Sequence, residues 1–215
     1  MKYDPDKHRR RSIRLKNYDY TQVGAYFVTI CTSNRECLFG EIVDGEMRLN
    51  EWGEVVAQTW RWLTQQYWYV ELDEWVVMPN HLHGIITIGD KVETCRGGSR
   101  TAPTTDTIKR KSLGRLIGAF KTVSTKRINK IRRDPNASIW QRNYYEHIIR
   151  SETGLNTIRR YIRYNASMWL HDEDNLASRC LSPEPRKRVL SGLYGFSEEE
   201  SEFILTHGIE YRSCQ

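Results

Sequence analysis

The sequence predicts an α+β fold in which an antiparallel sheet is built in the order β-α-β-β-α-β and followed by one further helix. Three observations carry that expectation. Residues 25–32, Ala-Tyr-Phe-Val-Thr-Ile-Cys-Thr, form a β-branched and aromatic run of strand character. Residues 69–78 and 81–88 are two more such runs parted only by Pro79 and Asn80, so they should pair as an antiparallel hairpin. Stretches with apolar residues at helical spacing lie before and after that hairpin. This order is ferredoxin-like, with both crossover helices on one face of the sheet and the other face left for a site.

Taken in order, residues 1–19 form a basic arm, 20–172 the body, and 173–215 a linker and tail to which no chemistry is assigned. After the first strand, Asp44-Gly45 between 38–42 and 46–49 signals a tight hairpin and a small ribbon. Asn50 is a helix cap, with Glu51 and Glu54 in the first turn and Val55, Val56, Trp60, Leu63 and Tyr67 at helical spacing. Residues 89–107 are polar, with Gly97, Gly98 and Pro103, and predict a loop. A long helix is expected over 108–133, its stripe made of Leu113, Leu116, Ile117, Phe120, Val123, Ile128 and Ile131, and Asp134-Pro135-Asn136 ends it. Residues 139–149 read as a fourth strand or a partly extended segment. Ser151 then caps a helix expected to run through Leu155, Ile158, Tyr161, Ile162, Asn165 and Trp169. Beyond it, 183–188 (Pro-Glu-Pro-Arg-Lys-Arg) reads as a linker and 197–209 as a short acidic helix.

No run approaches the roughly 18 apolar residues of a membrane span, and the N-terminus has no apolar signal-peptide core. A cytoplasmic protein with no membrane partner is expected. The five cysteines are odd in number and scattered, without a C-x-x-C pair, which argues against a disulfide framework or a structural zinc site. The net charge of +6 is concentrated in two blocks. Residues 1–17 carry Lys2, Lys7, Arg9, Arg10, Arg11, Arg14 and Lys16 against Asp4 and Asp6. From 109 to 133 there are Lys109, Arg110, Lys111, Arg115, Lys121, Lys126, Arg127, Lys130, Arg132 and Arg133, and no acid. Such blocks are the electrostatic footprint of a polyanion binder, so nucleic acid is the favoured partner. Arg9, Arg10, Arg11, Lys109, Arg110, Lys111, Arg115 and Lys121, with Arg150 beyond them, are the candidate DNA contacts.

The chemistry is expected at His81-Leu82-His83. Side chains alternate along a strand, so the two imidazoles share a face and form a pair of candidate metal ligands. Tyr161 and Asn165 stand four residues apart, one above the other on a helix face that should turn inward. An inward Asn is costly unless its amide is satisfied, and a metal ion bound by its oxygen would satisfy half of it. An Asn bonded to backbone and an ordinary amphipathic tyrosine fit the same two positions.

The stretch Met78-Pro79-Asn80-His81-Leu82-His83, the Trp-Gln-Arg-Asn-Tyr-Tyr-Glu-His-Ile-Ile-Arg stretch at 140–150, and Tyr161-Ile162-Arg163-Tyr164-Asn165 resemble three signatures. They are those of the IS200/IS605-type single-tyrosine HUH transposases, and within that family most resemble the branch associated with repetitive extragenic palindromes. The resemblance covers 20–172. It implies that Tyr161 is the nucleophile and that His81, His83 and Asn165 are ligands of a divalent metal, Mg²⁺ or Mn²⁺. It also implies single-stranded DNA beside a hairpin as substrate, a 5′-phosphotyrosine intermediate, and a monomer or a homodimer that exchanges its catalytic helix. One position departs from the pattern: Ala166 stands where the family usually has Pro, so the helix is expected to continue. The alternative is a non-catalytic nucleic-acid binder that uses its aromatic residues for stacking.

Overall fold

The computed structural model describes residues 15, 17–90, 110–172, 174–175 and 183–207. Its strands are β1 (Gly24–Cys31), β2 (Gly40–Val43), β3 (Glu46–Leu49), β4 (Val70–Val77), β5 (His81–Ile88) and β6 (Tyr145–Ile149). Its helices are α1 (Glu51–Gln66), α2 (Leu113–Arg132), α3 (Glu152–Tyr164), α4 (Pro183–Tyr194) and α5 (Glu198–His207). The main sheet has the order β4-β5-β1-β6, and every neighbouring pair is antiparallel. That is the ferredoxin-like arrangement the sequence predicts. β2 and β3 form the separate ribbon, closed by Asp44 and Gly45 at φ 54° and 78°, the left-handed conformations a tight hairpin turn needs. Asn50 caps α1 as expected, its Oδ1 accepting from the N–H groups of Trp52 and Gly53.

The sheet has two different faces. Tyr26, Val28 and Ile30 of β1 and Leu82, Ile86 and Ile88 of β5 pack against Val56, Trp60 and Leu63 of α1 and Leu116, Ile117 and Phe120 of α2. Gly84 makes room for this layer, since a Cβ there would stand 2.6 Å from Cζ2 of Trp60. On the opposite face Phe27, Ile85 and Tyr145 meet Ile158 and Ile162 of α3. The register of α3 is set at an irregularity in β4 between Leu72 and Trp75. There Arg159 grips Asp73 through two nitrogens, at 2.9 and 2.6 Å, and Arg163, one turn on, pairs with Glu74. Partly exposed pairs of this kind add little energy, but their geometry fixes which helix face turns inward.

Several boundaries differ from expectation. α2 begins only at Leu113: 110–112 are not helical, and Ile108 and Lys109 lie outside the described residues. Within it Ser124 is a buried member of the stripe, accepting from Trp140 Nε1 at 2.9 Å, while Ile131 is 38% exposed. Only Tyr145–Ile149 pairs as a strand in the 139–149 stretch, with Trp140 making a lone bridge to Thr32. α3 stops at Tyr164 with Asn165 as its C-cap, although no proline follows, and a separate 3-10 turn covers Trp169–His171. Residues 183–188 are not a linker: Pro183 opens α4, as a residue without an N–H can at a first helical position. α4 and α5 pack on the outer side of α3 and the turn after it, burying Met168, Leu190, Phe196 and Ile204 beside Tyr161. No helix among the described residues is long and apolar enough to cross a membrane.

Candidate active site

His81 and His83 open β5 on the face away from α1 and α2, at 0% and 1% exposure, with ring centroids 4.4 Å apart. Register supplies their surroundings. Thr29 is the cross-strand partner of His83, and its Oγ1 lies 2.8 Å from His83 Nδ1. Phe27 stacks on the same ring at 5.4 Å. His81 Nδ1 lies 2.9 Å from Asn80 Oδ1, and the Asn80 amide nitrogen donates to the carbonyls of Arg35 and Asp174 at 3.0 and 2.7 Å.

α3 brings the other two candidates to the same place. Tyr161 Oη lies 3.4 Å from His83 Nε2, with its ring 5.3 Å from the imidazole. Asn165 is fully buried and adjoins His81 and Asp172. Neither its amide oxygen nor its nitrogen completes a well-formed hydrogen bond among the described residues, and His81 Nε2 also lacks one. Buried polar atoms without partners are costly, so a lone pair on an imidazole beside a free amide oxygen calls for a ligand. These donor types fit a divalent ion held by nitrogen and oxygen.

Asp174 comes from the segment to which the sequence assigned no chemistry. His81, His83 and Asp174 offer atoms that all lie within 4.8 Å of one another, a buried group able to hold a metal ion. The carboxylate nevertheless approaches the Nδ1 edge of His81, at 3.9 Å, and its other oxygen is engaged by the Arg35 guanidinium. Asp172, also beyond the expected helix, lines the site, and burial pushes its carboxyl up from the ordinary range, opposed by His83 and Arg186. The acidic run after α3 was the signal available in the sequence. Thr29 could be found only once register was known, and Asn80 only by reading beyond its place in a turn.

Burial holds both imidazoles neutral. His81 is pushed down to about 3, with the Arg35 charge adding to burial, and His83 falls well below its usual value through burial and the neighbouring His81. Neutral rings keep lone pairs available at neutral pH. Tyr161, Asn165, Met168, Asp172, Arg186 and Leu190 line a partly open pocket beside this cluster, bounded on one side by α4 and α5.

The expected DNA contacts are dispersed. Arg9, Arg10, Arg11 and Lys109 lie outside the described residues. Arg110 pairs with Asp90, and Lys111 lies over the Tyr67 ring, its N–H donating to Tyr69 Oη. Tyr69 also binds Gly89 just past β5, so these two residues sit at the end of that strand away from His81, about 23 Å along it. Arg115 and Arg150 are exposed. Lys121 is not part of an open basic face: its Nζ donates to the carbonyls of Gln141 and Asn143 at 2.9 and 2.7 Å, and burial lowers it to about 8. It therefore anchors the segment leading into β6.

No family model matches the chain. The fold is similar to that of a REP-associated tyrosine transposase bound to a REP hairpin, with a TM-score of 0.46, 18% identity, and coverage of 73% of this chain and 72% of that one. It is also similar to a candidate transposase from Deinococcus radiodurans, with a TM-score of 0.40, 18% identity, and coverage of 71% and 96%. In sequence, the chain is 42% identical over 175 residues to an uncharacterized protein of Haemophilus influenzae, covering 80% of this chain and 96% of that protein. At that identity and coverage the chain belongs to the same family as the Haemophilus protein.

Proposed function

We propose that this protein is a metal-dependent nuclease and strand-transferase of the single-tyrosine HUH type, acting on single-stranded DNA beside a hairpin. Tyr161 is the nucleophile, and His81, His83 and Asn165 are the metal ligands. The observation that carries the reading is the approach of Tyr161 Oη to within 3.4 Å of His83 Nε2 in one chain, beside the unpartnered His81 Nε2 and Asn165 amide. A purely binding protein would have no use for those buried, unsatisfied atoms.

A divalent cation, when bound, supplies Lewis acidity and positive charge at a non-bridging phosphate oxygen. The residues of the chain do the rest. Thr29 and Asn80 hold the two imidazoles in place through Nδ1, leaving Nε2 of each turned towards α3. Docking of Arg159 and Arg163 on β4 keeps the Tyr161 side of α3 over His83. The Tyr161 oxygen attacks phosphorus as the P–O3′ bond breaks. The phenol proton leaves to solvent, the 3′ oxygen takes one up, and the DNA 5′ end stays on Tyr161 as a phosphodiester. A later attack by a 3′-hydroxyl reverses the exchange, so neither water nor ATP is consumed. Arg110 and Lys111, remote from His81, and the exposed Arg115 suit contact with duplex phosphates rather than with the scissile group.

The test is incubation of the full chain with a single-stranded oligonucleotide carrying a hairpin, with Mn²⁺. A covalent protein–DNA adduct that survives denaturant is expected, absent with chelator and absent in Tyr161→Phe. An adduct of unchanged yield in that variant would remove Tyr161 from the role. Binding without any adduct, indifferent to chelator, would favour the non-catalytic reading.

A further inference from the structure

Asn80 makes three hydrogen bonds at 1% exposure, and they are not interchangeable. Its nitrogen has two protons, and both are used, on the carbonyls of Arg35 and Asp174 at 3.0 and 2.7 Å. Carbonyl oxygens only accept, so the amide cannot be turned round: a flip would set its oxygen against two others. The atom 2.9 Å from His81 Nδ1 is therefore the Asn80 oxygen, and that contact exists only if Nδ1 carries the proton. The lone pair of His81 is thereby assigned to Nε2, the nitrogen left without a partner, while the approach of Asp174 to the ring, at 3.9 Å, is to Nδ1. Nothing of the kind fixes His83, because the Thr29 hydroxyl facing its Nδ1 can either donate or accept.

We infer that Asn80 is a positioning residue that sets the tautomer of His81, presenting Nε2 to a metal on the Asn165 side of the ring rather than Nδ1 on the Asp174 side. The inference rests on the metal-site reading above and deepens it. Asn80 touches neither substrate nor metal; it acts through the imidazole, as partners of ligating histidines generally do. The same amide fastens two chain segments to the start of β5, the loop after β1 at Arg35 and the C-terminal segment at Asp174.

The experiment follows the ring nitrogens of His81 by long-range ¹H–¹⁵N correlation in the metal-free full chain, with Mn²⁺ affinity measured by calorimetry. In the wild type His81 should show a protonated Nδ1 and an unprotonated Nε2; the opposite pattern overturns the proposal with no variant needed. Asn80→Ala should let the Nε2–H form appear and weaken Mn²⁺ binding by about 10- to 100-fold. Asn80→Asp separates the two tasks: a carboxylate still accepts from Nδ1–H but cannot donate to the two carbonyls. That variant should keep the wild-type tautomer and bind Mn²⁺ within a few-fold of wild type, while unfolding at lower denaturant. Loss of the tautomer in Asn80→Asp, or its retention with full affinity in Asn80→Ala, counts against the assignment. If the wild type binds no Mn²⁺, this inference falls together with the proposed function. If it binds Mn²⁺ through His81 Nε2 but forms no DNA adduct, only the nuclease reading falls.

Discussion

Strand β5 has two interiors, one on each face, and they are buried equally well. Leu82 and Ile86, fully buried, pack in the apolar layer of α1 and α2, whereas His81 and His83, at 0% and 1% exposure, meet Asn80, Thr29, Tyr161 and Asn165. Burial therefore does not distinguish a core from a site in this protein. What distinguishes them is the density of polar side chains: the helix-covered face leaves an indole nitrogen, Trp60 Nε1, without a partner among the described residues, whereas the other face gathers two imidazoles, a phenol and an amide and keeps His81 Nε2 and both polar atoms of the Asn165 amide open.

Neighbouring substitutions on opposite faces should break function and stability apart. His83→Ala should weaken Mn²⁺ binding beyond the roughly 10- to 100-fold that loss of a supporting partner brings, and abolish the DNA adduct. Calorimetry and gel assay read both effects, and undiminished affinity would exclude His83 as a ligand. Leu82→Ala, one residue away, should lower stability by about 2–5 kcal/mol in urea unfolding and leave the Mn²⁺ affinity of the folded protein unchanged. Gly84→Ala presses a methyl group on the buried Trp60 ring and should cost about 1–3 kcal/mol, since that ring has no room to move away.

Acid tests the contrast in another way. His81 is held at about 3 and His83 well below its usual value, while both titrate near 6.5 in the unfolded chain. The unfolded chain takes up protons first as acid is added, so the stability present above about pH 6.5 is lost as pH falls towards 3. Urea midpoints of the metal-free protein should drop across that window and drop less in His81→Gln; parallel curves would mean that the imidazoles are not held neutral. The smallest effect is expected at Asp73→Ala, about 0.5–1 kcal/mol, because the Arg159 pair is partly exposed and serves mainly to orient α3.

The sheet and the pair of histidines were legible because β-branched and aromatic content over residues 25–32 and 69–88, and the alternation that puts His81 and His83 on one face, are local properties of strands. So was the Asp44-Gly45 turn, and so was the Asn50 cap. The end of α3 was not. Ala166 in place of Pro argued for a continuing helix, yet the chain turns at Asn165, which lines a pocket together with residues of α4 and α5, elements far away in sequence. Lys121 looked like one more basic surface residue because sequence cannot foresee the backbone carbonyls of 141 and 143 closing on it. Asp174 and α4 were hidden for a related reason. The role of Asp174 depends on Arg35 and Asn80, more than ninety residues earlier, and for α4 a proline- and arginine-rich stretch suggests a tether more readily than a helix.

The grip of Arg35 and Asn80 on Asp174 has a practical side. Anyone trimming the chain after residue 172, where composition marks the end of the body, would take the Asp174 carboxylate from the Arg35 guanidinium and an acceptor from the Asn80 amide that holds His81. The trimmed protein would keep the sheet and both histidines but lose a support of His81. A negative result from it would speak only about the cut.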